Sequence, residues 1–280
     1  MFKLNKLKRF EEKIISTPAP SDAAAIPTGI PHEDVVYMAM ELGEQILRCG
    51  GEVSRVEDTI RRILTAYGAT DIDVTAIMSL IVLTVEFGDE TIVRTRWIMC
   101  GVTNLGRLSK LNDLSRRICR TLPDKAEFLG RLYDIDVTTT IGNIPYVIGN
   151  LLIAFGFCIA WNGNLLDAFV SALVALPMCI GMKYFAKTKT NAIVAKVVIC
   201  FMSGVLAILM GNIIPAANVS TVISGDIMLV VPGVMLANSF RDLLGGDLMS
   251  GIFRLCAALL DAVAIACGYA VAILIFGGVV

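Results

Sequence analysis

Residues 192–214 read AIVAKVVICFMSGVLAILMGNII, with Lys196 as the one charge in the run. A helix of that length rises about 34 Å at 1.5 Å per residue, enough to cross the hydrocarbon core of a bilayer. Four more apolar stretches lie around it, at Ile144 to Trp161, Leu165 to Phe185, Thr221 to Phe240 and Phe253 to Phe276. Each is near the length a spanning helix needs. Residues 137–280 are therefore expected to form a bundle of five transmembrane helices.

Working outward, charge divides the chain in the same place. Of its 24 Lys/Arg and 25 Asp/Glu, only Lys183, Lys187, Lys189, Lys196, Arg241 and Arg254, and Asp167, Asp226, Asp242, Asp247 and Asp261, fall after residue 136. The 280 residues are 56% hydrophobic and 18% charged, with a mean hydropathy of +0.73, which excludes a wholly soluble domain. A net charge of -1 gives no reason to expect nucleic acid as a partner. Eight cysteines occur singly, with no Cys-x-x-Cys pair and His32 as the one histidine. Neither a zinc site nor a disulfide framework is expected, and most of these thiols read as small buried hydrophobes.

The front of the chain has the patterning of a soluble α/β domain over residues 33–136, after a flexible basic N-terminus and linker at 1–32. Phe2, Leu4, Leu7 and Phe10 alternate with Lys3, Lys6, Lys8 and Arg9, without the continuous apolar core of a signal peptide. Four prolines between Thr17 and Pro31 mark the linker. Apolar residues at helical spacing from Glu33 to Cys49 end on Gly50-Gly51, and Ser54-Arg55-Val56-Glu57 reads as a capping box opening a second helix that ends near Tyr67-Gly68. Val-, Ile- and Thr-rich runs at Asp71–Leu80, Ile81–Phe87 and Thr91–Trp97 read as strands, with Gly88-Asp89 as a hairpin turn. Helical spacing returns at Asn104–Thr121, and a shorter helix is expected over Asp124–Tyr133.

The connections set an orientation. Lys183, Lys187, Lys189 and Lys196 gather around the second loop of the bundle and Arg241 and Arg254 around the fourth, while 162–164, 215–220 and the tail after Phe276 have no Lys or Arg. The positive-inside rule then puts the α/β domain in the cytoplasm and the C-terminus outside, in a multi-pass protein of the cytoplasmic (inner) membrane.

A charge in lipid costs at least a few kcal/mol, so each one raises a functional question. Asp261, about eight residues past Phe253, is expected near mid-membrane, as a proton relay, a substrate contact or a carboxylate paired with Lys196 or an Arg. Asp167 and Asp226 are expected near the outer helix ends, solvated at the interface. Pro232-Gly233 lies near the middle of the fourth stretch and should kink or break it, freeing carbonyls that must face protein or a wet cavity. The run from Asn238 to Arg254, with Arg241, Asp242, Gly245-Gly246-Asp247 and Ser250-Gly251, reads as one short cytoplasmic connection. Gly246-Asp247 departs from the Gly-x-Gly-Asp of intramembrane aspartyl proteases, because Leu244 stands where the first glycine belongs. The glycine turn before Ser54 could present a helix N-terminus to an anion, but Glu52, Glu57 and Asp58 oppose phosphate and no Walker-type lysine follows.

Two of these segments, Gly50-Gly51 through Arg55-Val56-Glu57-Asp58 to Tyr67-Gly68, and Val231-Pro232-Gly233 with Asn238, Arg241-Asp242, Gly246-Asp247, Ser250-Gly251 and Arg254, resemble the threonine/serine exporter family. Asn162-Gly163 with Asp167 is similar to that family's first turn between membrane helices, where Gly-Gly is commoner. The resemblance covers about residues 33–276. It implies a cytosolic domain joined to a bundle that exports small polar metabolites without ATP. A second bundle follows in full-length members, so five spans resemble the split form, in which a separate small membrane protein supplies the other half. Split pairs of this kind are associated with dicarboxylates such as succinate.

The expectation is thus a subunit of a secondary, proton-coupled exporter of threonine, serine or a short dicarboxylate. Its pathway would draw on Pro232, Gly233, Asn238, Arg241, Asp242, Asp247, Arg254, Asp261, Asp226 and Asp167. Arg241 and Arg254 would either meet a substrate carboxylate or pair with Asp242 and Asp247. Membrane lipid, a second small membrane subunit, a small-molecule substrate and further copies of the chain are the partners considered; no cofactor, metal or catalytic group is expected. The alternative is a regulatory or scaffold membrane subunit whose cytosolic domain senses a ligand.

Overall fold

The computed structural model describes residues 29–99, 101, 103–139, 142–188 and 190–277. The basic run and most of the linker, Cys100, Lys189 and the last three residues lie outside them. The chain forms two compact units, meeting in sequence between Thr138 and Thr139.

In the first unit α1 (His32–Arg48) and α2 (Val53–Ala66) lead into a three-stranded antiparallel meander, β1 (Asp71–Ile77), β2 (Leu80–Phe87) and β3 (Glu90–Trp97), followed by α3 (Leu105–Thr121) and α4 (Lys125–Thr139). Alternation along β2 sends Ile81, Leu83, Val85 and Phe87 inward, where they join Met38, Leu42 and Ile46 of α1 and Ile60, Ile63 and Leu64 of α2 in one core. Arg96 of β3 bridges Glu41 (2.7 Å) and Glu44 (3.1 Å) of α1, so the sheet is tied to the helix by charge as well as burial. Gly88 turns β2 into β3 with φ +62°, a conformation open to glycine at little cost.

Two local expectations change. The capping box at Ser54 does not form: α2 begins one residue earlier, with Glu52 as its N-cap. Glu57 instead turns to the sheet and accepts a hydrogen bond from the Ala76 amide at 2.8 Å, because the edge of β1 offers a donor within reach. The last helix of the unit also runs six residues past the expected Tyr133, to Thr139.

The second unit holds α5 (Asn143–Ala160), α6 (Leu165–Lys187), α7 (Ala192–Ile213), α8 (Val219–Ile227), α9 (Gly233–Gly245) and α10 (Leu248–Phe276). Four of these, α5, α6, α7 and α10, are long and apolar enough to cross a membrane. The fourth apolar stretch is not one spanning helix. It divides at Met228–Pro232 into two helices of nine and thirteen residues, each too short to cross alone. The break follows from Pro232, which has no N–H to donate and takes the N-cap position of α9. The backbone tightens before it, through bonds from Leu229 N to Asp226 O (3.1 Å) and Val230 N to Ile227 O (3.0 Å).

The expected cytoplasmic loop from Asn238 to Arg254 is also overturned. Helix continues on both sides, and only Gly246 and Asp247 separate α9 from α10. Gly246, at φ +98°, makes the reversal. Gly251 lets the helices close, since a Cβ there would stand 2.6 Å from Leu243 Cγ. Higher up, α7 and α10 approach through Gly204 and Gly268: a Cβ at Gly268 would fall 2.6 Å from the Val197 carbonyl oxygen. α8 packs among α5, α6 and α7, whereas α9 lies chiefly along α10.

Candidate functional site

A single face of α10 carries Arg254, Asp261 and Tyr269, all buried. Spacings of seven and eight residues put them on one side of the helix, about 10 and 12 Å apart along its axis. Each meets a polar partner from another helix, so this face forms a polar seam inside an otherwise apolar unit.

At its start Arg254 Nε lies 3.0 Å from Asp242 Oδ2 of α9, with side-chain exposures of 6% and 1%. This is the ion pair that the sequence left as the alternative to a substrate contact for Arg254. Asp247 does not share it; it stands at the N-cap position of α10, its carbonyl accepting from Gly251 N at 2.9 Å. Further along, Asp261 pairs with Lys196 of α7. The pairing with Lys196 named among the readings of Asp261 is present.

Deepest in polar contact is Asp226, in the last turn of α8 and fully buried. Ser171 of α6 donates to its Oδ1 at 2.8 Å and Ser203 of α7 to its Oδ2 at 3.2 Å; Tyr269 of α10 donates to the Ser203 hydroxyl at 3.1 Å. The expected interfacial solvation of Asp226 is therefore corrected. Because the fourth stretch breaks just after it, α8 is a half-helix drawn in among α5, α6 and α7, and Asp226 faces hydroxyls of α6 and α7 rather than water. Asp226, Asp242 and Asp261 thus differ in kind: two face a cation, and Asp226 is held by hydroxyls.

Asp167 is also buried rather than solvated, at 2% exposure. Its Oδ2 accepts from the Asn164 amide (3.0 Å) while Asn164 Oδ1 accepts from the Asp167 amide (2.8 Å), a closed capping box. Its Oδ1 accepts from the Asn218 amide at 2.7 Å. The carboxylate satisfies backbone donors at two helix starts, α6 and α8, which is an architectural task.

Pro232 and Gly233 open α9 beside the break, and Asn238 and Arg241 follow on the same helix, with Arg241 exposed. The structure thus gathers Asp226, Asp242, Arg254 and Asp261 along one seam, and sets Asp167 and Asp247 in caps. Ser171, Ser203 and Tyr269 were missed by sequence reasoning. A usable signal existed: Ser203 lies seven residues from Lys196 and Tyr269 eight from Asp261, the spacing that puts hydroxyl and charge on one helix face.

No curated protein and no solved structure gives a significant match to the chain. The family model for the threonine/serine exporter, ThrE, matches residues 37–276, spanning both units. With that coverage, the chain belongs to the threonine/serine exporter family.

Proposed function

We propose that the chain is one subunit of a secondary exporter in the cytoplasmic membrane, moving threonine, serine or a short dicarboxylate out of the cell in exchange for protons. The observation that carries this reading is Asp226: a carboxylate with hydroxyl partners at the end of a half-helix, inside a unit of apolar helices. Carboxylates in membrane interiors mark ion and substrate routes, and discontinuous helices line the sites of many secondary transporters. A set of neutral partners lets the group hold a proton or release it without leaving a cation behind. Asp261 and Asp242, each facing a cation, serve in this reading as fixed pairs that close the seam around it.

In the same reading α8 and α9 cross the membrane together as the fifth span. Lysines and arginines around the second and fourth connections favour an N-terminus in the cytoplasm and a C-terminus outside. A second small membrane subunit covers α9, which carries Asn238 and the exposed Arg241 and leans chiefly on α10 within this chain. Efflux of labelled threonine and succinate from preloaded cells, with this chain alone and with a candidate small partner, tests the reading. Efflux that needs the partner and collapses on dissipating the proton gradient is expected. Efflux of neither compound in any combination would favour the alternative, a regulatory or scaffold subunit.

A further inference from the structure

The glycine-led start of α2, set aside for phosphate on its acidic residues, takes a different form once folded. Glu57 is committed to β1 through the Ala76 amide at 2.8 Å, and Glu52 to Arg55 at 3.4 Å. What remains faces a cleft of about 620 Å³ between α2 and α3, lined by Arg55, Asp58, Thr59 and Arg62 from one helix and by Asn112 and Arg116, among others, from the second. That volume falls in the range of small-molecule sites. Every lining side chain can form hydrogen bonds, although two helices that pack together ordinarily meet through apolar residues. Thr59 lines it while only 3% exposed, so it belongs to the cleft floor rather than to its rim.

Three guanidinium groups from two helices share this space with one lining carboxylate, Asp58. Each is steadied by an acid on its own helix: Arg55 by Glu52, Arg62 by Asp58 at 3.2 Å and Arg116 by Asp113. These contacts use one or two of the five N–H donors of each group, and the rest remain for a ligand. A planar carboxylate can accept two parallel bonds from a guanidinium, which suits the donors these pairs leave over. We propose that the α2/α3 cleft is a binding site for a small carboxylate-bearing metabolite, its carboxylate held by Arg62 and Arg116 and its polar remainder by Asp58, Thr59 and Asn112. An amino acid would place its ammonium group at Asp58; a dicarboxylate would place its second carboxylate at Arg55. The site lies in the first unit, and variants of its arginines, which leave the buried seam of the second unit untouched, tell binding here from binding on the transport route.

Calorimetric titration of the full-length chain in detergent tests it, with L-threonine and succinate as probes and L-threoninamide, which lacks the carboxylate, as control. Saturable binding of threonine or of succinate is expected, and whichever binds identifies the ligand's source. Threoninamide should not bind. Arg62→Gln and Arg116→Gln should each weaken binding about tenfold or more, the scale of a lost charge-assisted bond, with the melting temperature kept. Asn112→Ala, a smaller change, should weaken it less and serves if an arginine variant folds poorly. Failure of both probes to bind the folded chain, or binding indifferent to both arginine variants, would overturn the assignment.

Discussion

Ser171 of α6 donates its hydroxyl to Asp226 of α8 across 2.8 Å, and the same Ser171 Oγ lies 3.3 Å from the Ala154 carbonyl oxygen of α5. One serine therefore joins three helices at the point where the fourth apolar stretch breaks. Gly225 permits it, since a Cβ there would stand 2.7 Å from Ser171 Oγ and 2.8 Å from Ala154 O. The carboxylate is held by neutral groups on rigid helices, and its protonation can change without the loss of an ion pair.

Asp226→Asn tests that role directly. The amide keeps an acceptor and gains donors, and serine hydroxyls can serve either as donor or acceptor, so the bundle should fold and insert at parental levels. Proton-coupled efflux should be lost, while Ser171→Ala, which removes one hydrogen bond, should cost about 1 kcal/mol in stability and leave reduced coupled efflux. Export, read as uptake into everted vesicles under an imposed pH gradient, distinguishes these outcomes. Parental, gradient-driven efflux in Asp226→Asn would remove the carboxylate from the mechanism.

Lys196 and Asp261 pair between α7 and α10, and removing one partner leaves the other charge uncompensated. Lys196→Met alone should lower stability by about 3 kcal/mol or more, whereas Lys196→Met with Asp261→Leu should recover most of the loss. Thermal melts of the single and double variants in one detergent give the coupling energy. A double variant no more stable than Lys196→Met would show that the pair holds nothing together.

Much of this was legible in the sequence, and the failures have a common cause. Period-two alternation in β2 and period-3.6 spacing in α1 are local, and both elements formed within a residue or two of where they were expected. Apolar length alone identified α5, α6, α7 and α10, because lipid demands it. The run from Asn238 to Arg254 misled because charges and glycines mark loops in water. Between closely packed helices the same residues act differently, Asp242 and Arg254 neutralising each other and Gly251 admitting Leu243. Asp226 was assigned to the interface on the assumption that the stretch runs straight, and Pro232 breaks it. Which of three carboxylates lacks a cation is a matter of tertiary pairing, which no single-sequence period contains.

In the first unit, Tyr67 donates its hydroxyl to the Pro123 carbonyl oxygen at 2.6 Å while only 5% exposed, and burial raises its phenol above the ordinary tyrosine range, with nearby acids adding to the shift. The folded state thus favours the protonated phenol. Its contribution to stability is complete below the unfolded value near pH 10 and is lost as the pH climbs from there through the folded value. Tyr67→Phe should cost about 1 kcal/mol at neutral pH and flatten this alkaline decline. Melting temperature followed from pH 8 to 11 in the two proteins checks it; equal slopes would mean that Tyr67 ionises freely.

Gly268 and Gly204 set the distance between α7 and α10, and the polar contacts of the seam lie at the same crossing. A Cβ at Gly268 would come within 2.6 Å of the Val197 carbonyl oxygen and 2.7 Å of Cys200 Cβ, backbone and near-backbone atoms that cannot swing aside. Gly268→Ala must therefore push the helices apart, and overpacking of this kind costs about 1–3 kcal/mol. The displacement falls between Lys196–Asp261 on one side and Ser203–Tyr269 on the other, so both contacts lengthen together. Gly156→Ala on α5, where an added Cβ meets nothing within 4 Å, supplies the control and should be neutral or stabilising by up to about 1 kcal/mol. The expected result is a lower melting temperature for Gly268→Ala alone, with a smaller additional loss on Lys196→Met than in the parent, since a stretched pair has less to lose. If Gly268→Ala melts with the parent, the close approach of α7 and α10 does not determine the geometry of the seam.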